Sequence, residues 1–591
     1  MLVYGDHPRQ APISQLIDDL HARLATPPSP IPIVRHGDLV GAFIGASELA
    51  QGLADADFEA SGEDRRSLRN DAAMDLVMAL ARAVGRSWVG GFGAVDTEAR
   101  AALASLMVHP LPASVQVKPP EGYAFYALYP EAYFEAAAAC GPNAFDQVIG
   151  LRSIGVGLSA MVASAAGRRR PVTLRPTGNP FRRHLRVAAG LSAELVGAPD
   201  GCYAVVDEGP GLSGSSFGAV EDLLAGAGVA PERIVYFPSH PGDLGPHASE
   251  RHRCRWARAA RNTVDFDVLT GRAAKTVHRL ERWVADLTGH AIAPIEDLSA
   301  GRWRAAGRDA GDPPVWLTGE RRKYLLRSKT GSWLLKFAGL GAIGEGKLTR
   351  ARALHAAGFS PQPLGLRHGF LVERWIEGAR AVDPSHDRPR LVARLGAYLA
   401  FRARAFPAPD SAGASVATLM DMARVNLTEI GLDDVAERLP TPAEAERLER
   451  RVRRVFTDNR LHPWEWLQAG DGPILKTDAV DHAEGHDLVG CQDIAWDVAG
   501  AVVEFGLSDA EVNRICREVA AGAQVVDRDL LAALVAAYRA FQIGYWRFAA
   551  ESQSGEDARR AEIRVGFYQR RAPAVRRPQH SSDKIFPEMT T

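Results

Sequence analysis

Cysteine is scarce in this sequence, with five residues among 591, and no two of them have the C-x-x-C spacing. This scarcity argues against a zinc site built from cysteines and against a disulfide framework. Long apolar runs are scarce too: none reaches the roughly 18 residues needed to span a bilayer, and no secretory signal is visible. We therefore expect a cytoplasmic protein without a membrane partner.

An excess of either charge is also lacking. The chain has 70 Lys and Arg against 71 Asp and Glu, which gives a net charge of −1. Without a general basic field, nucleic acid is not an expected partner. A small molecule is the expected partner, and self-association stays open. The length is too great for one hydrophobic core and indicates about three domains.

The most informative stretch spans residues 204–216. A short apolar run predicts a buried strand, and two acids, Asp207 and Glu208, follow at its carboxyl end. A loop of Gly, Pro and Ser then leads into an apolar-periodic helix over about 217–224. In open α/β sheets, ligands bind at the carboxyl ends of the strands, and backbone N–H groups at a helix start suit a phosphate. The stretch therefore predicts a site for a phosphorylated sugar.

This stretch resembles the PRPP-binding motif of type I phosphoribosyltransferases, with one residue more than usual between the acids and the phosphate loop. The resemblance implies that Asp207 and Glu208 hold the ribose diol and favour the oxocarbenium-like transition state. It also implies a 5′-phosphate site formed by four loop residues, Ser213, Gly214, Ser215 and Ser216. Without the resemblance, the pattern is that of an ordinary strand, polar turn and helix.

A second strand, loop and helix is predicted over 148–159, about 55 residues before the acidic pair. By the same resemblance, its loop lies where diphosphate is bound, with Arg152, Ser153 and Gly155 beside it. Arg152 is expected to neutralise the departing diphosphate together with Mg²⁺, because its guanidinium offers a fork of donors.

Two further loops are expected near this site. A basic loop over 173–184 contains Arg175 and corresponds to the mobile loop that closes over diphosphate in the resembled family. A polar loop over 238–245 follows a predicted strand and carries His240, a candidate contact to the base or acceptor. Earlier in the chain, 121–128 alternates aromatic and small residues, which predicts a strand.

The pattern restarts beyond residue 315 with a strand hairpin around 329–332, whose second strand carries Lys336. A lysine in such a strand, followed by a helix with an early acid, is how protein-kinase-like enzymes hold ATP phosphates. The region resembles the small lobe of the aminoglycoside-phosphotransferase-like group. The resemblance implies Lys336 as the phosphate lysine, Glu345 as its helix partner and Glu373 in the hinge that borders adenine.

The segment 457–467 is similar to the catalytic loop of that group, with two departures. Arg460 occupies the position of the catalytic aspartate, and Glu465 occupies that of the metal-binding asparagine. Asp478, at the end of a short predicted strand, matches the metal-binding aspartate, and 490–499 matches a segment that is usually structural. ATP and Mg²⁺ are the cofactors that this resemblance implies.

Two other interpretations use the same region. Residues 341–348 fit the G-x-x-x-x-G-K pattern of a P-loop, but a leucine replaces the Ser or Thr that binds magnesium. His482 and His486 could bind a metal together with Asp481 or Asp487. Both patterns also occur in structures without a ligand.

The predicted fold class is α/β: a phosphoribosyltransferase-like parallel sheet with a helical N-terminal extension, followed by a kinase-like α+β domain of two lobes. The predicted divisions are the extension at 1–114, the phosphoribosyltransferase-like domain at 115–265, a connector at 266–314, the kinase-like domain at 315–570 and a disordered tail at 571–591.

The predicted function is a phosphoribosyltransferase that acts on PRPP or a phosphoribosyl nucleotide, with an ATP-binding module that phosphorylates the product. The alternative is a non-catalytic sensor of PRPP or a nucleotide, in which the kinase-like half is a pseudokinase. The departures at Arg460 and Glu465 favour that alternative for the second half.

Overall fold

The structure, a computed structural model, describes residues 8–197, 200–211, 213–245, 248–272, 274–306, 313–485 and 489–570. The predicted tail at 571–591 lies outside these residues, as do Leu212 of the predicted phosphate loop and the metal candidates His486 and Asp487. Within the described ranges, no helix is both long and apolar enough to cross a membrane.

Helices dominate the first part of the chain. Its elements are β1 (Arg9–Pro12), α1 (Ile13–Ala25), α2 (Pro32–Ser61), α3 (Leu68–Val89), α4 (Ala99–Met107), β2 (Ser114–Val117), α5 (Glu121–Phe125) and α6 (Pro130–Ala138). The longest helix, α2, begins with proline at its first position, where a missing N–H costs nothing, and ends at Gly62 in the left-handed conformation. Helices α2 and α3 are buried along much of their lengths because they pack against each other and against the sheet that follows.

The middle of the chain forms a parallel sheet. Its elements are β3 (Gln147–Leu151), α7 (Gly155–Ala165), β4 (Val172–Leu174), β5 (Thr177–Asn179), β6 (Arg182–His184), α8 (Ala189–Leu195), β7 (Tyr203–Val206), α9 (Ser215–Gly226), β8 (Ile234–Phe237), α10 (Glu250–Arg258) and β9 (Ala260–Arg261). The strand order is β4-β3-β7-β8-β9, and all neighbours are parallel. β5 and β6 form a separate antiparallel hairpin.

Strand β7 is central and all four of its residues are buried. Ala204 and Val206 face the core shared with the N-terminal helices, whereas Tyr203 and Val205 face the core on the other side of the sheet. The alternation follows from the two-residue period of a strand, and burial on both faces is the rule for parallel sheets. The carboxyl end of β7 therefore places the acidic pair at the centre of one sheet edge.

A connector of three short helices leads to a second, antiparallel sheet. The elements are α11 (Phe266–Thr270), α12 (Leu280–Trp283), α13 (Ala285–Thr288), β10 (Glu296–Asp297), β11 (Lys323–Ser328), β12 (Gly331–Phe337), α14 (Gly341–Ala356), β13 (Pro363–Arg367) and β14 (Phe370–Arg374). The strand order is β10-β11-β12-β14-β13. The predicted hairpin is present as β11 and β12, with Lys336 paired to Lys323 across the ladder.

The remainder is a mainly helical lobe. Its elements are β15 (Arg380–Ala381), α15 (Arg388–Ala405), α16 (Val416–Thr428), α17 (Asp433–Ala436), α18 (Pro442–Glu449), β16 (Arg454–Val455), β17 (Trp466–Gln468), β18 (Leu475–Lys476), β19 (Gln492–Asp493), α19 (Ile494–Phe505), α20 (Asp509–Gly522), α21 (Arg528–Ser552) and α22 (Gly555–Arg570). Helix α18 begins with a capping box formed by Thr441 and Glu444.

One hydrophobic core crosses the predicted division at 314. It contains Val77 of α3, Val206 of β7, and Phe337 and Val372 of the antiparallel sheet. A second core fills the helical lobe. The division at 314 thus separates two sheets without separating two cores.

One prediction of local structure is wrong, and one alternative interpretation does not fit the structure. Residues 121–125, predicted as a strand, form α5, which follows Pro119 and Pro120. Alternation over so short a segment is also compatible with one helical turn when both faces are covered, and four of the five residues of α5 are buried. The P-loop pattern at 341–348 is helical from its first residue, so no loop remains to wrap a phosphate.

Gly150 lets α7 pack directly against β3. A Cβ at this position would lie 2.3 Å from the carbonyl oxygen of Gly155 and 2.4 Å from Ser159 Oγ. Because a backbone carbonyl cannot move aside easily, we expect Gly150→Ala to lower the free energy of unfolding by about 1–3 kcal/mol. Urea unfolding measures this change. The control is Gly190→Ala in α8, where a Cβ meets nothing within 4 Å; equal stabilities of the two variants would contradict the prediction.

Candidate functional sites

A cleft of about 770 Å³ lies at the carboxyl ends of β3, β7 and β8. We call it the parallel-sheet pocket. Its lining includes the predicted site residues Ser153, Asp207, Glu208 and His240, together with Ser239, Asp265 and Arg322. The structure therefore brings together four of the residues predicted for the phosphoribosyl site, from three different strand ends.

The acidic pair is held by the backbone around it. Asp207 Oδ1 accepts a hydrogen bond from the Glu208 amide at 2.8 Å, and the Tyr133 hydroxyl donates to the Asp207 carbonyl at 2.8 Å. Glu208 Oε2 accepts from the Gly122 amide at 3.1 Å. Burial raises the pKa of Asp207 to about 7, although the Glu208 amide acts in the opposite direction. Near neutral pH this carboxyl group can therefore change protonation state.

The predicted phosphate loop is turned towards the β5–β6 hairpin. The hydroxyl groups of Ser213 and Ser215 donate to the Pro180 carbonyl at 2.8 and 2.7 Å, and the Gly214 amide donates to the Pro210 carbonyl at 3.1 Å. Ser213 and Ser215 are buried, and neither they nor Ser216 line the parallel-sheet pocket. The sequence identified the loop but not the hairpin whose carbonyl group takes its hydroxyl donors.

Arg152 and Arg175 do not face the parallel-sheet pocket. The buried Arg152 guanidinium pairs with Asp64 and lies 2.8 Å from Asp55 of α2, and Arg175 donates to the same Asp55 at 2.8 Å. Their predicted contact with diphosphate is corrected accordingly: both arginines bind the sheet to the N-terminal helices. Gly155 also has a packing role, because a Cβ there would lie 3.0 Å from the Val206 carbonyl oxygen.

A second, narrower cavity of about 110 Å³ lies between the antiparallel sheet and the helical lobe. We call it the two-lobe cleft. Its lining includes the apolar side chains of Leu298, Leu334 and Trp375. It also includes the charged or polar side chains of Lys323, Arg460, Glu465, Asp478 and His482. The cleft thus combines apolar surface with charged groups.

Lys336 is buried next to this cleft, in contact with Asp478 of its lining. Its ammonium group pairs with both Asp478 and Asp481, and Lys323 Nζ lies 3.6 Å from the other oxygen of Asp478. Burial alone would lower the pKa of Lys336, but the two carboxylates raise it above its ordinary value. Burial alone would likewise raise the pKa of Asp478, and Lys323 with Lys336 lowers it well below its usual range. All these groups are therefore charged at neutral pH.

The predicted partner of Lys336 on α14 is wrong. Glu345 points to the outside of the helix and accepts from Arg23 at 2.9 and 2.7 Å. The inward residue is Lys347, which is fully buried with Nζ 3.3 Å from Asp481 Oδ1. Burial lowers the pKa of Lys347 to about 8. The helix thus contributes a second cation, and the acids come from the loop after β18.

Glu373 does not border the two-lobe cleft. It lines a cavity of about 10 Å³ beside Lys336 and Lys476, and Trp375 occupies the cleft wall instead. The predicted hinge therefore contributes to the cleft through its tryptophan, two residues further along the chain.

Buried charged side chains fix the backbone of the loop that follows β16. Asp497 accepts from the amides of Asp458 and Asn459 at 2.7 and 2.9 Å, and the buried Arg402 donates to the Phe456 carbonyl at 2.6 Å. Such bonds fix where the side chains that follow are directed. Asp497 belongs to α19 and lies in the segment 490–499. This segment therefore supports the loop through hydrogen bonds, which is the structural role that the resemblance implies for it.

Glu465, at the position of the metal-binding asparagine, and Asp478, at that of the metal-binding aspartate, lie close together. One ligand atom each of Glu465, Asp478 and His482 lies within 4.8 Å of the others. The donor set fits Mg²⁺ through its two carboxylates, since hard cations prefer oxygen. Glu465 also accepts a hydrogen bond from the buried Lys476 at 2.8 Å. Burial raises the pKa of Glu465 to about 7, although the nearby charge of Lys476 acts in the opposite direction.

Arg460 lies where a catalytic carboxylate was expected. Its guanidinium lies over the Tyr545 ring at 4.6 Å and lines the cleft. The nearest alternative, Asp458, is buried with Tyr398 and Lys476 as partners and does not line the cleft. Among the described residues, the cleft therefore combines lysine and arginine cations with carboxylates that could hold a metal ion, and Arg460 occupies the position at which the resemblance implies a carboxylate base.

Sequence reasoning missed Lys323, Lys347 and Lys476, which all contribute charge at or next to the cleft. Lys476 carried a signal, since a lysine in a short apolar strand two residues before a metal-binding aspartate has to be paired when buried. The sequence signal at Lys347 was misleading, because this lysine completed the P-loop pattern.

No protein family model matches the chain, and no curated protein matches it significantly. Weak similarities to solved structures exist. A choline kinase from Streptococcus pneumoniae aligns with 14% identity over 49% of this chain and 98% of that one, with a TM-score of 0.31. A macrolide 2′-phosphotransferase type I has 13% identity over 48% and 95% of the chains, with a TM-score of 0.31.

A spectinomycin phosphotransferase, solved with ADP and spectinomycin, has 14% identity over 49% of this chain and 93% of that one, with a TM-score of 0.33. At these scores the alignments do not identify a common fold. The chemistry of the two sites follows from the residues of this chain.

The raised pKa of Asp207 predicts a pH-dependent stability difference. The folded-state pKa of about 7 exceeds the ordinary 3.8, so ionisation of Asp207 destabilises the folded state. This destabilisation is complete above about pH 7 and fades as the pH falls towards 3.8. We therefore expect Asp207→Asn to raise the melting temperature at pH 8 and to raise it less at pH 5. Thermal unfolding at both pH values measures this difference. An equal shift at the two pH values would show that the carboxyl group titrates normally.

Proposed function

We propose that the two-lobe cleft binds a nucleoside triphosphate with Mg²⁺ and transfers its terminal phosphoryl group to a small acceptor. The observation that supports this most is the ammonium group of Lys336, held between Asp478 and Asp481 with Glu465 beside them. Phosphoryl transfer depends mainly on positioning and on charge stabilisation, which such a set of groups supplies.

Each part of a nucleotide has a counterpart in the cleft or directly beside it. The apolar side chains of Leu298, Leu334 and Trp375 suit a purine base. Lys336 and Lys323 suit the phosphates, since both can exchange their contacts with Asp478 for phosphate oxygens once Mg²⁺ occupies that carboxylate. Glu465 and Asp478 would hold the ion, and its chemistry would be to neutralise charge on the transferring phosphoryl group.

The acceptor end is electropositive because of Arg460. A phosphoryl group transferred through a loose transition state needs little proton removal at the start, so the missing carboxylate slows transfer without excluding it. The guanidinium favours an anionic acceptor. Binding without transfer, as in a sensor, is the other outcome that Arg460 allows.

Lys336→Met tests the nucleotide site. We expect ADP and ATP to bind at least about tenfold more weakly in the presence of Mg²⁺, equivalent to about 1.4 kcal/mol, because a charge-assisted contact to phosphate is lost. Isothermal titration calorimetry measures the affinity. Lys329→Met, at the exposed turn of the same hairpin, is the matched control and should bind as the wild type does.

Asp478→Asn is the companion variant if Lys336→Met does not fold. It should reduce the Mg²⁺ dependence of nucleotide binding more than the binding measured without Mg²⁺. Wild-type affinity in both variants would exclude the nucleotide site. Tight binding without phosphoryl transfer to any acceptor offered would favour the sensor.

A second function, binding of a phosphoribosyl compound such as PRPP with transfer of its ribosyl group, is supported by one specific observation. Asp207 and Glu208 open into a cleft of about 770 Å³ beside Ser153 and His240. The acids suit a ribose diol, and the volume suits a nucleotide-sized ligand. The 5′-phosphate would reach Ser213 and Ser215 only after the Pro180 carbonyl has moved away.

The double variant Asp207→Asn, Glu208→Gln tests this second function. It should weaken PRPP binding by at least about tenfold, because both acceptors for the diol lose their charge. Calorimetry and a diphosphate-release assay provide the readouts. Glu232→Gln, on an exposed residue before β8, is the control. Absence of PRPP binding by the wild type would rule the function out, and binding without diphosphate release would favour a sensor.

A further inference from the structure

Three buried side chains from distant parts of the sequence meet away from both sites. They are His36 of α2, Glu131 of α6 and His368 in the turn between β13 and β14, and none of the three side chains is exposed to solvent. Glu131 Oε1 lies 2.7 Å from His36 Nε2 and 3.0 Å from His368 Nε2. The two imidazole rings have centroids 4.9 Å apart and lie 70° from parallel.

Hydrogen bonds among the described residues do not satisfy this cluster. His368 Nε2 approaches Glu131 Oε1 without the alignment of a hydrogen bond, and neither ring nitrogen of His368 has a hydrogen-bond partner among the described residues. Glu131 Oε2 likewise has no hydrogen-bond partner among the described residues. A buried carboxylate with so few donors is costly unless a cation accompanies it. Within the cluster, only the contact between His36 Nε2 and Glu131 Oε1 is a hydrogen bond, so the cluster keeps convergent ligand atoms that a metal ion would satisfy.

We propose that His36, Glu131 and His368 bind a divalent transition-metal ion of the zinc type. Two imidazole nitrogens and one carboxylate are a common ligand set for Zn²⁺, with bonds of about 2.0–2.2 Å. Tetrahedral ligands at that distance are about 3.3 Å from one another, so the observed contacts need to open by only a few tenths of an ångström. Glu131 Oε2 supplies a further ligand atom if the carboxylate binds through both oxygens.

The surroundings are those of a structural site. His36 Nδ1 lies 3.0 Å from Ser87 Oγ, the kind of outer contact that fixes the tautomer and orientation of a metal-binding histidine. Aromatic rings of Phe92 and Trp283 lie 4.8 and 5.1 Å from the two imidazoles and exclude water. His368 holds a positive φ of 43°, and the Tyr129 hydroxyl donates to its carbonyl at 2.8 Å. The ion would join the N-terminal helices, the helix before the parallel sheet and the antiparallel sheet.

Metal analysis of the full-length protein tests this site. After dialysis to remove loosely bound ions, mass spectrometry should find about one zinc-type ion per wild-type chain, because the three buried side chains form one site. Glu131→Gln and His368→Gln should each lose it. Substitution with Co²⁺ should give visible d–d absorption in the wild type that both variants lack.

Two controls separate this site from others. His278→Gln changes a neighbouring histidine, stacked on Trp88 at 3.7 Å, and should keep the ion. Asp478→Asn should also keep it, which excludes the two-lobe cleft as its location. If the ligand variants do not fold, chelation of the wild-type protein provides the readout: the melting temperature should fall and recover when Zn²⁺ is restored.

The proposal is overturned if wild-type protein holds no ion after purification and after addition of Zn²⁺ or Co²⁺. It is also overturned if Glu131→Gln and His368→Gln retain the ion. In either case the cluster is a histidine–carboxylate network that shares a proton.

Discussion

The pairing of one buried ammonium group with two carboxylates holds the second half of this protein together. Lys336 belongs to the antiparallel sheet, whereas Asp478 and Asp481 belong to the helical lobe, and their ion pairs join the two across the cleft. Removing one member of a buried ion pair typically costs about 3–5 kcal/mol, because the remaining charge is left without a partner. This pairing, or a ligand that replaces it, therefore stabilises the arrangement of the antiparallel sheet and the helical lobe on either side of the cleft.

One segment of the chain, residues 318–323, lines both the parallel-sheet pocket and the two-lobe cleft. Thr318 and Arg322 line that pocket, whereas Glu320 and Lys323 line the two-lobe cleft. Arg322 is anchored by Asp267 at 2.9 Å, and Lys323 is anchored by Glu320 at 2.8 Å. The two sites are thus separated by a single stretch of chain, and the hydrophobic core is continuous beneath them. Their proximity is a property of the packed molecule and could not be inferred from their separation in sequence.

The sequence predicted where the acidic pair and Lys336 lie in the fold, because strong local patterns surround them. A four-residue apolar strand ending in two acids, and a hairpin with a lysine in its second strand, depend on short-range periodicity. Arg152 and Glu345 were misassigned for the opposite reason. Each carries a charge that many partners could satisfy, and the partners that do so, Asp55 and Arg23, come from helices more than 90 residues away in sequence. A resemblance assigns roles to positions, but it does not show which oppositely charged side chain lies closest.

The sequence by itself determined the elements: where strands end, where acids and lysines follow them, and that the charges balance. Only the tertiary structure decided which charges meet, since ion pairs and buried clusters depend on distances across the fold rather than along the chain. It turned the serine loop towards a hairpin, placed Lys347 inside and Glu345 outside one helix, and brought His36, Glu131 and His368 into contact. The physical reason is that charge satisfaction inside a protein is a long-range condition, whereas the periodicity of helices and strands is a local one.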